Sequence, residues 1–316
     1  MIDLLLLVMA IIWGTNYSIV KFAFQELDPQ AFNAARMTIA SAVFLAVIGV
    51  LRFRPASTGA VASSTPGVES IFRTPTRLTA RDALELLGLG LVGHFLYQYF
   101  FIGGLALTTV ANSSLMLAAT PVVIALISAV FGQERIGPRH WAGAALSLLG
   151  IYIVVGRGVD IGGKGLTGDL MMVAAVLCWA VYTLGSRRLI SRHSPVGVTG
   201  LSMTIGTLVY VPVMWSHVRA VAWDGVTWRT WLSIVYSSIF ALGIAYTIWY
   251  AGVRQIGSAR TSVYSNVIPI VAMATAVIFL GEPLRLTNLL GATAVLVGVA
   301  LTRTAPETAP AEPCEP

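Results

Sequence analysis

Polar and aromatic side chains recur at the middle of otherwise apolar runs, where they are placed to bind a solute rather than to do covalent chemistry. Trp13, Thr15, Asn16 and Tyr17 occupy the centre of one run, and Trp179 and Tyr182 the matching place in another. His94, Tyr97, Gln98 and Tyr99 cluster in a third, and Tyr246, Trp249 and Tyr250 in a fourth. Asn112, Ser113 and Ser114 begin a further run, and Tyr264, Ser265 and Asn266 lie inside its counterpart. Unpaired amides and hydroxyls are expensive in hydrocarbon, so these groups must face one another or a wet cavity. The candidate substrate-binding residues are Trp13, Asn16, Tyr17, His94, Tyr97, Gln98, Trp179, Tyr182, Tyr246, Trp249, Tyr264 and Asn266. Such a set suits an uncharged or zwitterionic solute. The same groups could instead serve interhelical hydrogen bonding and an interfacial aromatic belt. That use fits Trp223, Trp228 and Trp231, near a helix end, better than it fits the mid-run pair Trp13 and Trp179.

What is missing narrows the chemistry. No Asp or Glu lies near the centre of any apolar run, which argues against proton-coupled export of lipophilic cations through a central carboxylate. His94 is the one mid-run group that titrates near neutral pH, either as a proton site or as a satisfied hydrogen-bonding residue. His140, His193 and His217 are scattered, and neither a nucleophile pair nor an H-E-x-x-H set is present. The expectation is no enzyme, no metal and no cofactor. Cys178 and Cys314 cannot form a disulfide framework.

The elements that must hold these residues are membrane helices. Of the 316 residues 56% are hydrophobic and 11% charged, too few charges for a soluble domain of this size. Runs long enough for a ~30 Å hydrocarbon layer follow one another almost to the C-terminus. The expected spans are 3–24, 29–51, 83–107, 109–131 and 138–155, then 168–186, 197–217, 227–250, 258–280 and 285–302. Residues 52–82 read as a mobile cytoplasmic insert, rich in Ser, Thr, Ala, Gly and Pro over 55–80, and 305–316 as a disordered tail. The first helix is expected to target and anchor the chain itself.

The ten spans fall into two sets. An offset of 148 pairs Pro121 with Pro269, Glu134 with Glu282, Gly143 with Gly291 and Gly150 with Gly298. An offset of 166 pairs Trp13 with Trp179, Pro29 with Pro195 and Met37 with Met203, the change being taken up by the insert. Five crossings per set put the second half in the opposite orientation. The fold class is therefore an all-α integral membrane protein of ten transmembrane helices in two inverted-topology five-helix repeats. The first half covers 1–156 and the second 157–304. Pro121 and Pro269 are kinks that also shape a cavity or gate it, or simple kinks. Glu134 and Glu282 lie where one helix ends and the next begins, fit to cap the fifth and tenth helices or to gate. Arg36 lies about two turns into the second helix, as a structural anchor or an anion contact. Gly143, Ser147, Gly150, Gly291 and Gly298 fit close helix packing or dimer contact.

With the N-terminus inside, thirteen Lys and Arg fall in cytoplasmic loops and six outside, so both termini are expected in the cytoplasm. Orientation thus accounts for the +6 charge, and no nucleic-acid partner is implied. The stretches Ala111-Asn112-Ser113-Ser114, Ala119-Thr120-Pro121-Val122 and Glu134-Arg135 precede Gly143 and Gly150. Their counterparts are Ile268-Pro269-Ile270 and Phe279-Leu280-Gly281-Glu282-Pro283-Leu284. With Trp13-Gly14 and Ala35-Arg36, the chain resembles the EamA family of the drug/metabolite transporter superfamily over nearly its whole length. The resemblance implies ten helices in a cytoplasmic (inner) membrane and outward carriage of small metabolites such as amino acids. The expected partners are a small-molecule solute and the lipid bilayer, for a monomer or homodimer. Transport is expected by alternating access without obligatory proton coupling. The alternatives are a lipid or lipid-linked substrate translocator, or a proton-coupled exporter that uses His94.

Overall fold

The computed structural model describes residues 2–53, 78–130, 138–156 and 164–303. Residues 54–77 of the insert, Glu134 and the tail from 304 lie outside the described residues. The described chain is helical. In order it forms α1 (Ile2–Ala23), α2 (Pro29–Phe53), α3 (Ala80–Leu89), a π-helical segment (Gly90–Leu96), α4 (Tyr97–Leu107), α5 (Val110–Ala118) and α6 (Thr120–Val130). Next come α7 (Pro138–Gly156), α8 (Lys164–Arg192), α9 (Pro195–Val213) and α10 (Trp215–Ala220). The chain then forms α11 (Trp228–Tyr236), a second π-helical segment (Ser237–Ile244), α12 (Ala245–Tyr264), α13 (Val267–Leu280) and α14 (Leu286–Arg303). Among the described residues six helical stretches are long and apolar enough to cross a membrane. Four shorter apolar helices, Val110–Ile124, Trp141–Gly150, Val267–Leu280 and Leu286–Leu301, complete ten.

Polarity is distributed inside out. Phe279, Ile278 and Tyr152 are more than 70% exposed, while Asn33, Arg36, His94, Gln98 and Ser237 are buried. A bundle solvated by hydrocarbon needs this arrangement, because apolar side chains cost nothing facing lipid and polar ones must be satisfied within.

Small residues set the closest approaches. Along α7 and α14 a Cβ on Gly150 would lie 2.8 Å from the Gly291 carbonyl oxygen, and one on Gly298 would lie 2.5 Å from that of Gly143. Between them Ser147 Oγ donates to the Val295 carbonyl at 3.3 Å. The two helices are thus antiparallel and meet through the residues that the offset of 148 equates. A second contact is duplicated: a Cβ on Gly104 would meet Met172 at 2.9 Å, and one on Gly252 would meet Leu6 at 2.9 Å. The offsets of 148 and 166 turn one of these pairs into the other. The same holds for the two π-helical segments, since Gly90–Leu96 maps onto residues 238–244.

Both proline sites are breaks. A turn at Ala119 interrupts the helix between α5 and α6, and Ser265-Asn266 separates α12 from α13, so Pro121 and Pro269 each lie in the first turn of the segment that follows. A proline cannot donate to the carbonyl four residues back. In the first case Thr120 Oγ1 satisfies that Leu117 carbonyl at 2.6 Å. Several expected boundaries differ: α8 runs from Lys164 to Arg192 rather than 168–186, α3 begins at Ala80 inside the expected insert of 52–82, and α12 is helical from Ala245 to Tyr264 with no separate loop near 251–257. The chain still reverses there, because Thr261 returns to within 3.1 Å of a Cβ placed on Gly252.

A distant carboxylate caps α11. Glu26, in the α1–α2 connection, accepts from Thr227 N at 3.1 Å, Thr227 Oγ1 at 2.8 Å and Thr230 Oγ1 at 2.8 Å. The Thr227 hydroxyl foremost, then Thr230, hold its carboxyl below the usual range. A lowered folded value adds stability above the ordinary carboxylate range, and that stability is lost as pH falls through the folded value. Because the site is solvent-exposed, the expected effect is small. Glu26→Gln should remove a drop in melting temperature on the order of a degree seen in wild type below about pH 4, read by thermal scans across that range.

Candidate functional site

The mid-helix aromatic residues converge. The Trp13 ring lies 6.2 Å from Trp179, 5.6 Å from Tyr246 and 5.7 Å from Trp249, centroid to centroid. Trp179 in turn lies 5.1 Å from Tyr97, 5.7 Å from Tyr182 and 5.4 Å from Tyr246. His94 joins through Tyr182, 5.0 Å away between rings with Nε2 3.2 Å from the hydroxyl, and through Tyr246 at 5.9 Å. Tyr17 packs on Phe101 at 5.5 Å, and Phe101 on Tyr97 at 5.7 Å. The edge-to-face contacts among them, Trp13–Trp179, Trp13–Tyr246, Tyr17–Phe101, His94–Tyr182 and Trp179–Tyr246, add ~0.5–1.5 kcal/mol each beyond the area they bury. Asn16 Oδ1, His94 Nδ1 and Trp249 Nε1 are buried without a protein partner among the described residues. Polar atoms left open beside aromatic faces are what a small amphipathic solute needs.

The backbone of the site is irregular where the aromatic residues sit. His94 lies within the first π-helical segment, and Tyr97 and Gln98 follow it directly. The Ala241 carbonyl of the second π-helical segment accepts from Trp13 Nε1 at 3.0 Å. π-Helical insertions collect at functional places in helices because they redirect side chains and loosen the hydrogen-bond ladder. Sequence reasoning missed both segments, and no local residue pattern marks them. Their equal placement under the repeat offset is visible only once one of them is seen.

Three pairs of equivalent residues meet directly: Trp13 with Trp179, Ser41 with Thr207 at 2.9 Å, and Ser147 with Val295. Residues touch their own equivalents where a pseudo-two-fold line would pass, and the aromatic cluster holds one of these pairs.

Arg36 is joined to the edge of the ring cluster through Gln98, the neighbour of Tyr97. Its Nε donates to Asn33 Oδ1 at 2.7 Å, Nη1 to Ser237 Oγ at 2.8 Å and Nη2 to Gln98 Oε1 at 2.6 Å, with Phe32 under the guanidinium at 5.8 Å. Gln98, expected among the solute contacts, is therefore engaged by Arg36. At the end of the bundle where α1 finishes, Lys21 pairs with Glu282 at 3.4 Å and donates to the Thr108 carbonyl. Thr108 Oγ1 donates to Asp169 at 2.6 Å, and Asn288 Nδ2 to Asn112 Oδ1 at 3.2 Å. This network ties α1, α5, α8 and α14 to the α4–α5 and α13–α14 links at that end, and Asp169 and Asn288 in it were not foreseen.

Two expectations are corrected in detail. Glu282 does not cap the tenth helix: both its oxygens accept from Val110 N, at 3.0 and 3.3 Å, at the start of α5. The first turn of α14 is served by Asn288 Oδ1, which accepts from Arg285 N at 3.2 Å. Tyr264 does not reach the aromatic cluster, because its hydroxyl donates to Asp3 at 2.5 Å at the opposite end of α1. Asn266 lies at the α12–α13 break, its Oδ1 without a partner among the described residues.

The sequence model of the EamA-like transporter family matches residues 1–156 and 166–304. The chain belongs to that family. It is a multi-pass membrane protein and a transporter rather than an enzyme. It is 24% identical over 301 residues to the uncharacterized transporter YyaM of Bacillus subtilis, covering 94% of this chain and 92% of the relative. It is 24% identical to a probable amino-acid metabolite efflux pump of Salmonella typhimurium, over 93% of this chain and 92% of that protein. The aromatic amino acid exporter YddG of Ancylobacter novellus is 28% identical over 60% of this chain and 65% of its own length. A solved crystal structure, 21% identical, superposes with a TM-score of 0.63 over 95% of this EamA-family chain and 96% of the other, which shows the shared fold.

Proposed function

We propose that this EamA-family protein carries amino acids or metabolites of similar size outward across the cytoplasmic membrane by alternating access, without obligatory proton coupling. The observation that carries the reading is the aromatic cluster around Trp13 and Trp179, placed where a pseudo-two-fold line would pass and edged by open polar atoms. The antiparallel contact of α7 with α14 supports an axis perpendicular to the helices, hence two inverted five-helix halves that rock about the cluster. Relatives named as amino-acid exporters support the solute class. The cation count supports cytoplasmic termini. The network around Lys21 and Glu282 would then seal the outer end while the inner end opens.

Purified protein in liposomes should show saturable uptake of radiolabelled amino acids with no pH gradient. Flux that requires the gradient would move the mechanism to proton coupling, with buried His94 and its open Nδ1 as the group to change. No flux of any amino acid would overturn the solute class, and accumulation of a labelled lipid in the opposite leaflet would replace it with lipid translocation.

A further inference from the structure

Arg36 is 1% exposed and lies about two turns into α2, yet its hydrogen-bond partners among the described residues are all neutral. Among the described residues Asn33, Ser237 and Gln98 take three of its five N–H donors, which leaves two donors and the positive charge unanswered there. Among the described residues no carboxylate lies within ion-pair distance of it. A guanidinium buried in a bundle without a counter-ion is costly, and intramembrane charges are normally paired.

Packing alone does not call for this cation. The offset that equates Trp13 with Trp179 equates Arg36 with Ser202, and there a hydroxyl suffices. Ser202 Oγ returns its proton to the Val198 carbonyl at 2.8 Å and touches the Tyr182 hydroxyl at 3.5 Å. The charge is thus carried by one half of the protein only. Its surroundings are those of the solute site. Ser237 opens the second π-helical segment, and Gln98 follows Tyr97 directly.

We propose that Arg36 is the docking point for a carboxylate on the transported solute, its fork of N–H donors receiving the anion beside the aromatic cluster. Arginine suits this because a planar pair of donors matches a carboxylate's two oxygens. The solute then presents an anion to Arg36 and an apolar or ring-bearing end to Trp13, Trp179 and Tyr246. This inference rests on the solute reading above and names the group by which the solute is recognised.

The test is counterflow of labelled L-phenylalanine in liposomes, competed by unlabelled L-phenylalanine or L-phenylalaninamide, which differ at the carboxylate. Wild type should prefer the acid by about tenfold, the ratio one charge-assisted contact supplies. Arg36→Gln should compress that preference to about twofold while the amide competes as before, and Arg36→Lys should retain most of it. Should Arg36→Gln fail to fold, Gln98→Glu decides: it sets a carboxylate on the guanidinium from inside the protein and should likewise erase the preference. Equal competition by acid and amide in wild type overturns the inference and leaves amino-acid transport standing. So does an unchanged preference in Arg36→Gln or Gln98→Glu, or a uniform loss for both ligands. Absence of any phenylalanine flux in wild type overturns the solute reading and this inference with it.

Discussion

Trp13→Ala should lower saturable transport about tenfold or more, while Trp13→Phe keeps a substantial part of it. Trp13 is the side chain on which the cluster is built: three rings pack on its indole, and its Nε1 holds the Ala241 carbonyl of the second π-helical segment. Removing it deletes a large aromatic surface, an interaction class worth ~3–5 kcal/mol in a packed interior. It also frees a carbonyl in the segment where the helix ladder is already irregular. A loss confined to folding would appear as poor size-exclusion behaviour and a lowered melting temperature, with the surviving protein transporting normally per molecule. The site reading requires the opposite: well-behaved protein whose half-saturating concentration rises or whose flux vanishes. Phenylalanine restores ring contact without the indole donor, so its intermediate activity separates the face of the ring from its hydrogen bond. Equal transport by wild type and Trp13→Ala, normalised to folded protein, would remove the aromatic cluster from the solute path.

The central cluster was legible because its members are conspicuous where they stand. A tryptophan in mid-run is poorly explained by an interfacial belt, and a second one at a fixed offset pointed to a shared place in two halves. Arg36 was legible for the same reason, as a charge where charge is expensive. The π-helical segments were not. Their shift from i→i+4 to i→i+5 hydrogen bonding is decided by what packs on the helix, and Gly90-Leu91-Val92-Gly93-His94 reads as ordinary apolar helix. Glu282 shows the limit for caps. Its position at a helix junction announced a carboxylate near a helix N-terminus, but which N-terminus depends on tertiary approach, and Val110 is 172 residues away along the chain. Tyr264 failed similarly. Its place in the run looked central, whereas the reversal near Gly252 and the break at Ser265 carry its hydroxyl to Asp3.

Gly298→Val should have the largest effect on the folded protein. At this point α7 and α14 touch backbone to backbone, and a Cβ at 298 would lie 2.5 Å from the Gly143 carbonyl oxygen and still closer to Ser147 Oγ. A carbonyl on a helix cannot move aside as a flexible side-chain end can, so the helices must separate. Separation forfeits the Ser147–Val295 hydrogen bond and the packing of Val295 and Val299, both fully buried. Overpacking of this kind costs ~1–3 kcal/mol when neighbours yield, and more where backbone is in the way. Without a hydrophobic drive between helices in lipid, such close packing is itself what associates them. The duplicated geometry adds a control. Gly150 is the equivalent of Gly298 and faces the Gly291 carbonyl at 2.8 Å from its would-be Cβ, so Gly150→Val should fail in the same way. Gly49, also in a membrane helix, has nothing within 4 Å of its would-be Cβ, and Gly49→Ala should be silent. The comparison is read from monodisperse yield and melting temperature in one detergent. Wild-type behaviour of Gly298→Val would mean that α7 and α14 are not held at backbone contact, and the direct meeting of Ser147 with its equivalent Val295 would be lost as support for two inverted halves.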